Sequence, residues 1–256
     1  MLGEGHVPLG LPFVVADGFR VVTSPHRAGR LSPAAVREMF DGISGVYDVM
    51  NRTMTLGLDR RWRERAARAA VRPGDRVLDA CCGTGDLALA CQSAGGRVVG
   101  LDFSPEMLAR AATKSSTIEW VEGDALVLPF EDESFDAATV GFGVRNLSDL
   151  EAGFRELARV LRPGGRLACL EITRPSGSLS VFYRLWFDGL IPLLGRVLPG
   201  GEAYQYLPAS VRRFPGPQEL AVLMEEAGFS EVGWTMLGGG IVALHTATTQ
   251  PAPPSS

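Results

Sequence analysis

The period of hydrophobic and polar positions changes at about residue 75. Before it, Val36, Met39, Phe40, Ile43 and Tyr47 recur at the spacing of one helix face. Ser32-Pro33 precedes them as a cap and a first-turn proline. A second helical pattern runs from about Asp59 through Trp62, Ala66 and Ala70, and stops at Pro73-Gly74. These patterns predict a helical cap over residues 31–73.

From Arg76 the rhythm becomes strand, turn, helix. "RVLDAC" is a short buried strand, followed by "GTGD" and the helical "LALACQSA". "RVVGLD" is a second strand, and Ser104-Pro105 caps the helix "EMLARAATKS". "IEWVEGDA" and "FDAATVGFG" read as the third and fourth strands. A helix then carries Leu150, Phe154, Leu157 and Leu161 on one face, with Ser148 and Glu151 spaced as a capping box. "RPGG" turns the chain into a fifth strand, "RLACLEIT", and after a final helix "EVGWTML" and "IVALHTAT" supply two closing strands. Alternation of this kind implies an α/β fold, a parallel sheet with helices on both faces. Residues 175–215 break the rhythm and read as a lid insertion. Residues 1–30 read as a flexible extension, 31–248 as a single domain and 249–256 as a disordered tail.

Composition narrows the classes. The 256 residues carry a net charge of −4, so there is no basic excess to neutralise the phosphates of a nucleic acid. Cys81, Cys82, Cys91 and Cys169 form no C-x-x-C pair, and the histidines lie near the chain ends. That spacing argues for reduced, buried thiols in a cytoplasmic protein and against a metal site. No secretory signal is visible in the first thirty residues. The most apolar segment, from Leu179, is interrupted by Arg184, Asp188, Pro192 and Arg196, so it should not cross a bilayer.

The candidate chemistry gathers at "LDACCGTGDLALA". Gly83-Thr84-Gly85 follows a strand and opens a helix, an arrangement shared by nicotinamide and methyl-donor sites. Asp79, four residues before Gly83, separates them: a carboxylate there repels a pyrophosphate and suits a ligand bearing an ammonium and a sulfonium. S-adenosylmethionine bears both. Asp102 ends the second strand, where an acid accepts ribose hydroxyls in either class. Asp124 and Ala125 follow the third strand, placed for an adenine amino group and ring nitrogen.

"VLDACCGTGDLA", "GLDFSPEML", "GDALVLPFEDESFD" and "LRPGGRLACLEI", in this order, resemble the four motifs of class I S-adenosylmethionine-dependent methyltransferases. "MFDGISGVYDVMNRTMTLGLDRRWR", "GFGVRNLSD" and "AYQYLPASVRRFPGPQEL" narrow the resemblance to the ubiquinone/menaquinone biosynthesis C-methyltransferases, from about Val36 to Thr246. The resemblance implies a seven-stranded Rossmann-like sheet with its last strand antiparallel. It also implies methylation of a ring carbon on a prenylated quinol, with S-adenosylmethionine and no metal. The acceptor is either demethylmenaquinol or the benzoquinol precursor of ubiquinone, and a nicotinamide oxidoreductase stands as the rival from another class. The resemblance implies cofactor contacts at Thr84, Asp102, Asp124 and Ala125, and the expected set is completed by Asp79, Gly83, Gly85, Phe103 and Gly141. At Gly141 some relatives carry serine, so a hydroxyl contact is lost there.

Carbon methylation needs an electron-rich acceptor, so the quinol hydroxyl beside the attacked carbon must be ionised or nearly so. Arg145 is expected to stabilise that charge and Asn146 to orient the ring oxygen. The alternative is a structural pair of Arg145 with Asp149, with Asn146 as a helix cap. Tyr47, Asn51, Tyr204, Tyr206 and Arg212 are the candidate quinol contacts. The apolar lid, with Phe182, Leu185, Trp186, Phe187, Leu190 and Ile191, meets either a lipid tail at the inner face of the membrane or another apolar surface. That surface is either the domain itself or a second copy of the chain.

Overall fold

The computed structural model describes residues 32–174 and 208–251. It begins with α1 (Pro33–Ile43), α2 (Tyr47–Met54) and α3 (Leu58–Ala70). Ser32 caps α1 by accepting from the Ala35 N–H, with proline at the first turn, as the sequence predicts. The apolar stripe from Val36 to Tyr47 does not lie on one helix, however. The chain breaks between α1 and α2 at Gly45, where a Cβ would sit 3.0 Å from the Arg110 guanidinium. Apolar spacing survives the break, which is why periodicity alone misses it.

The remaining elements alternate. They are β1 (Arg76–Ala80), α4 (Asp86–Ser93), β2 (Arg97–Asp102), α5 (Pro105–Lys114), β3 (Glu119–Glu122), β4 (Phe135–Gly141), α6 (Leu150–Val160), β5 (Leu161–Ile172), α7 (Pro217–Glu226), β6 (Phe229–Leu237) and β7 (Val242–Thr249). The sheet has seven strands in the order β3-β2-β1-β4-β5-β7-β6. β7 runs antiparallel between β5 and β6, while the other neighbouring pairs are parallel. The expected α/β Rossmann-like sheet is therefore present, with its antiparallel last strand. The order reverses between β1 and β4, the switch point at which open α/β sheets bind ligands.

Alternate strand residues feed opposite cores. Leu78, Ala138, Leu167 and Cys169 face α6 and α7, with Phe154, Leu157, Leu220 and Met224. Val77, Ala137, Ala168 and Leu170 face α3 and α4, with Trp62, Ala66, Leu87 and Cys91. A third, smaller cluster of Ile43, Met50, Met107 and Val211 lies beneath α1 and α2. The cap of α6 differs from expectation. Asp149, not Ser148, is the N-cap and accepts from the Ala152 N–H at 3.0 Å. Aspartate is at least as strong a cap as serine, so moving it by one residue costs nothing.

Candidate active site

A cavity opens at the carboxyl ends of β1 to β4, under α1 and α2. Gly83, Asp102, Phe103, Asp124, Ala125, Gly141 and Asn146 line it from the sheet side, and Tyr47 from above. These sequence-predicted residues, scattered over a hundred positions, meet in one place. Val36, Phe40, Cys81, Phe142 and Ser148 also line it and escaped the sequence reading. Phe40 makes edge contacts with both Tyr47 (6.0 Å) and Phe103 (6.4 Å), joining roof to wall.

The glycine turn divides its labour. Gly83, at φ 54°, faces the cavity, and a Cβ there would meet nothing within 4 Å. Gly85 does not line the cavity. Its φ is 83°, its N–H donates to Cys82 O at 2.9 Å, and a Cβ would lie 2.6 Å from the Trp120 ring. Its glycine admits an indole, not a ligand. Thr84 is buried, and its hydroxyl donates to Asp48 Oδ1 at 2.5 Å. That side chain therefore ties the turn to α2.

Asp79 requires the largest correction. It is fully buried behind the turn and is not a wall of the cavity. Thr139 donates to its Oδ1 at 2.7 Å, while Oδ2 has no partner. Burial, opposed by the Thr139 hydrogen bond and the Arg63 charge, raises its pKa to about 7. Nothing in its sequence position signalled that degree of burial, because strand-end acids differ in which way they turn.

Asp102 stays in the wall. Its Oδ2 accepts from Gly83 N–H at 2.8 Å and its Oδ1 from Ser104 N–H at 3.0 Å. Burial raises its pKa, against those backbone hydrogen bonds. Asp102 nevertheless lines the cavity, within reach of a ligand hydroxyl. Asp124 is exposed at the rim and accepts from Leu126 N–H at 2.9 Å. The Cys81 thiol is pushed well above its ordinary pKa by burial and by the Asp102 and Asp79 carboxylates, so it is no nucleophile.

After β4 a single 3₁₀ turn, Val144–Asn146, presents Asn146 to the cavity. The Arg145 side chain turns the other way and is 7% exposed. Its Nη1 donates to Glu171 Oε1 at 2.7 Å and also to Phe142 O. Glu171, on β5, is itself buried, so Arg145 is held behind the loop and not over the cavity as expected. Asn146 is not the cap of α6, a position that Asp149 takes.

The cavity does not gather every predicted quinol contact. Asn51 is not a wall residue; its carbonyl accepts from Thr55 Oγ1 at 2.8 Å. Arg212 is exposed on a helical turn at 208–213 and does not line the cavity. Tyr204, Tyr206 and most of the lid lie outside the described residues, as do residues 1–30 and the end of the tail.

The seven-stranded fold, with a cavity at its switch point, is the one class I S-adenosylmethionine-dependent methyltransferases share. A solved SAM-dependent methyltransferase of Thermotoga maritima, titled a possible histamine N-methyltransferase, superposes with a TM-score of 0.60 at 20% identity, covering 83% of this chain and 100% of that one. The chain belongs to the ubiE/COQ5 methyltransferase family, whose model matches residues 29–249. It is 47% identical to a demethylmenaquinone methyltransferase of Roseiflexus castenholzii over 82% of this chain and 92% of the relative. It is 45% identical to a demethylmenaquinone methyltransferase of Thermus thermophilus over 81% and 98%. The nicotinamide reading of the glycine turn finds no support among these relatives.

Proposed function

We propose that the protein methylates a ring carbon of a prenylated quinol, converting demethylmenaquinol to menaquinol with S-adenosylmethionine. The observation that carries this reading is the meeting of Asp102, Asp124-Ala125 and the Gly83 turn in one cavity roofed by Phe40 and Tyr47. The two relatives named above favour the menaquinone precursor over the ubiquinone one.

The residues fit the cofactor. Asp102 is a cavity-lining acid that can accept from ribose hydroxyls. Asp124 and Ala125 lie where an adenine edge is read, and Leu101, Phe103 and Leu126 supply apolar walls. The open space at Gly83 admits a ligand backbone. Among the described residues, Asp102 and Asp124 are the carboxylates of the wall, and neither is paired with a basic side chain there that would attract a phosphate. When bound, S-adenosylmethionine supplies an electrophilic methyl group.

The chain's own residues hold the acceptor and manage its charge. Asn146 faces the cavity with donors and an acceptor for the ring oxygens. Tyr47 offers an aromatic face with a polar tip. Arg145 acts as a positioning residue: its bonds to Phe142 O and Glu171 fix the loop that aims Asn146. The Phe40, Phe103 and Phe142 rings exclude water, which strengthens each charge interaction at a quinolate.

The test is direct. Purified protein given S-adenosylmethionine and a short-chain demethylmenaquinol should yield the methylated quinol by mass spectrometry, and a benzoquinol precursor should react at least tenfold more slowly. Equal or faster turnover of the benzoquinol moves the assignment to ubiquinone synthesis; no methylation of either sinks it.

A further inference from the structure

α2 and α3 meet at a corner whose outer surface has no role in the cavity. α2 turns Tyr47 and Met50 inward and Val49 and Arg52 outward, with Val49 68% exposed. The chain then bends through Leu56 (φ 52°) and Gly57 (φ 76°), held by Gly57 N–H to Arg52 O at 2.8 Å. Leu56 stands at the tip, 80% exposed, and Leu58 beside it is also exposed. A leucine held in the left-handed region and almost wholly in water is costly on both counts.

Exposed arginines follow that tip along α3. α3 buries Asp59, Trp62, Arg63, Ala66, Ala67 and Ala70 on one side. Its other side presents Arg60, Arg61, Arg65 and Arg68, with Glu64 between them. Arg60 and Arg68 share that acid at 3.3 and 3.1 Å. Arg52 lines one cleft with Arg60 and Arg68, so α2 continues the basic surface. The nearest buried acid, Asp59, is already paired with Arg63, and Asp86 in the cleft with Lys114. A chain of net charge −4 thus places five exposed arginines and three exposed aliphatic side chains within residues 49–68.

We infer that this corner docks on an anionic lipid bilayer, Leu56, Val49 and Leu58 entering the interface while Arg52, Arg60, Arg61 and Arg65 meet the headgroup phosphates. The charge pattern selects this occupant: a cationic rim around a small apolar tip complements a negative membrane surface. A second copy of the chain would bring the same arginines against themselves. The inference rests on the quinol reading for its purpose. α2 contributes Tyr47 to the cavity wall from its first turn, so docking brings a lipid-dissolved acceptor to the cavity that Asn146 also lines. It differs from the lid contact expected from sequence, since it uses residues 49–65.

Full-length protein should float with vesicles of phosphatidylglycerol and phosphatidylcholine, and at least tenfold less with phosphatidylcholine alone or at high salt. Arg61→Glu should weaken partitioning about fivefold or more per reversed charge, and Leu56→Asp by at least tenfold, with circular dichroism and melting temperature unchanged. Both variants should methylate a short-chain quinol in solution at the wild-type rate, while methylation of a long-chain quinol in anionic vesicles falls with binding. Wild-type protein that ignores anionic vesicles, or variants that bind them as well as wild type, overturns the inference. So does a dimer in sedimentation that Leu56→Asp dissolves without changing vesicle binding. Failure of the quinol reading looks different: vesicle binding persists with no methylation of either quinol.

Discussion

Asp48 on α2 accepts a 2.5 Å hydrogen bond from Thr84 Oγ1, the middle residue of the glycine turn. The same carboxylate pairs with Lys114 Nζ at 2.6 Å, and Lys114 pairs again with Asp86 at 2.6 Å. Lys114 is the single lysine among 25 basic residues. A second cap carboxylate, Asp41, accepts from Ser104 Oγ at the start of α5. The roof of the cavity is thus tied to the two helix N-termini that flank it.

Asp48→Ala removes both bonds from the roof. Charge-assisted bonds of this kind contribute about 1–2 kcal/mol, so S-adenosylmethionine affinity should fall roughly tenfold. Calorimetry reads that affinity, and hydrogen exchange should show faster opening of α1 and α2. Unchanged affinity together with unchanged exchange would remove the tie.

Glu171→Gln separates a positioning role for Arg145 from a structural one. Arg145→Ala would leave a buried, unpaired Glu171 and cost about 3–5 kcal/mol, confounding activity with folding. Glutamine keeps the shape and one acceptor for Arg145. The turnover number should drop tenfold or more with KM for S-adenosylmethionine nearly constant. A proportional loss in both, tracking a lower melting temperature, would mean the pair only holds the fold.

Asp79 makes stability depend on pH in a defined direction. Its folded pKa, near 7, lies above the unfolded value near 3.8, so the native state binds the extra proton between them. Stability from this group is fully present at low pH, declines as pH rises from about 4 to 7, and is then flat. The total is on the order of 4 kcal/mol. Asp79→Asn should therefore be less stable than, or equal to, the unliganded wild type at pH 4.5 and more stable at pH 8. Melting temperatures across that range give the difference; one that does not vary with pH would show that Asp79 is ionised throughout.

Gly85→Ala meets two obstacles, a left-handed backbone and the Trp120 ring. Together they should cost about 2–4 kcal/mol, a fall in Tm of roughly 5–15 °C. Adding Trp120→Leu should restore the steric part and leave the backbone part. A double variant no better than Gly85→Ala would show that the indole is not the obstacle.

Much of this protein is written in local pattern. The change from helical to strand periodicity, the Ser32 and Ser104 caps and the glycine turn sit within a few residues of the elements they define, so chain order alone placed the strands, and the resemblance of the motifs supplied the family. Asp102, Asp124 and Gly141 were legible as site residues because each ends or follows a strand at the carboxyl edge of the sheet. Only the tertiary structure decided which way side chains point. Asp79 and Arg145 occupy site positions yet turn inward, because Thr139 and Glu171, distant in sequence, offer them buried partners. Gly85 serves Trp120 and Thr84 serves Asp48 for the same reason. Periodicity records whether a position is apolar or polar, whereas the partner that captures a polar side chain is chosen by contacts the chain makes only once folded.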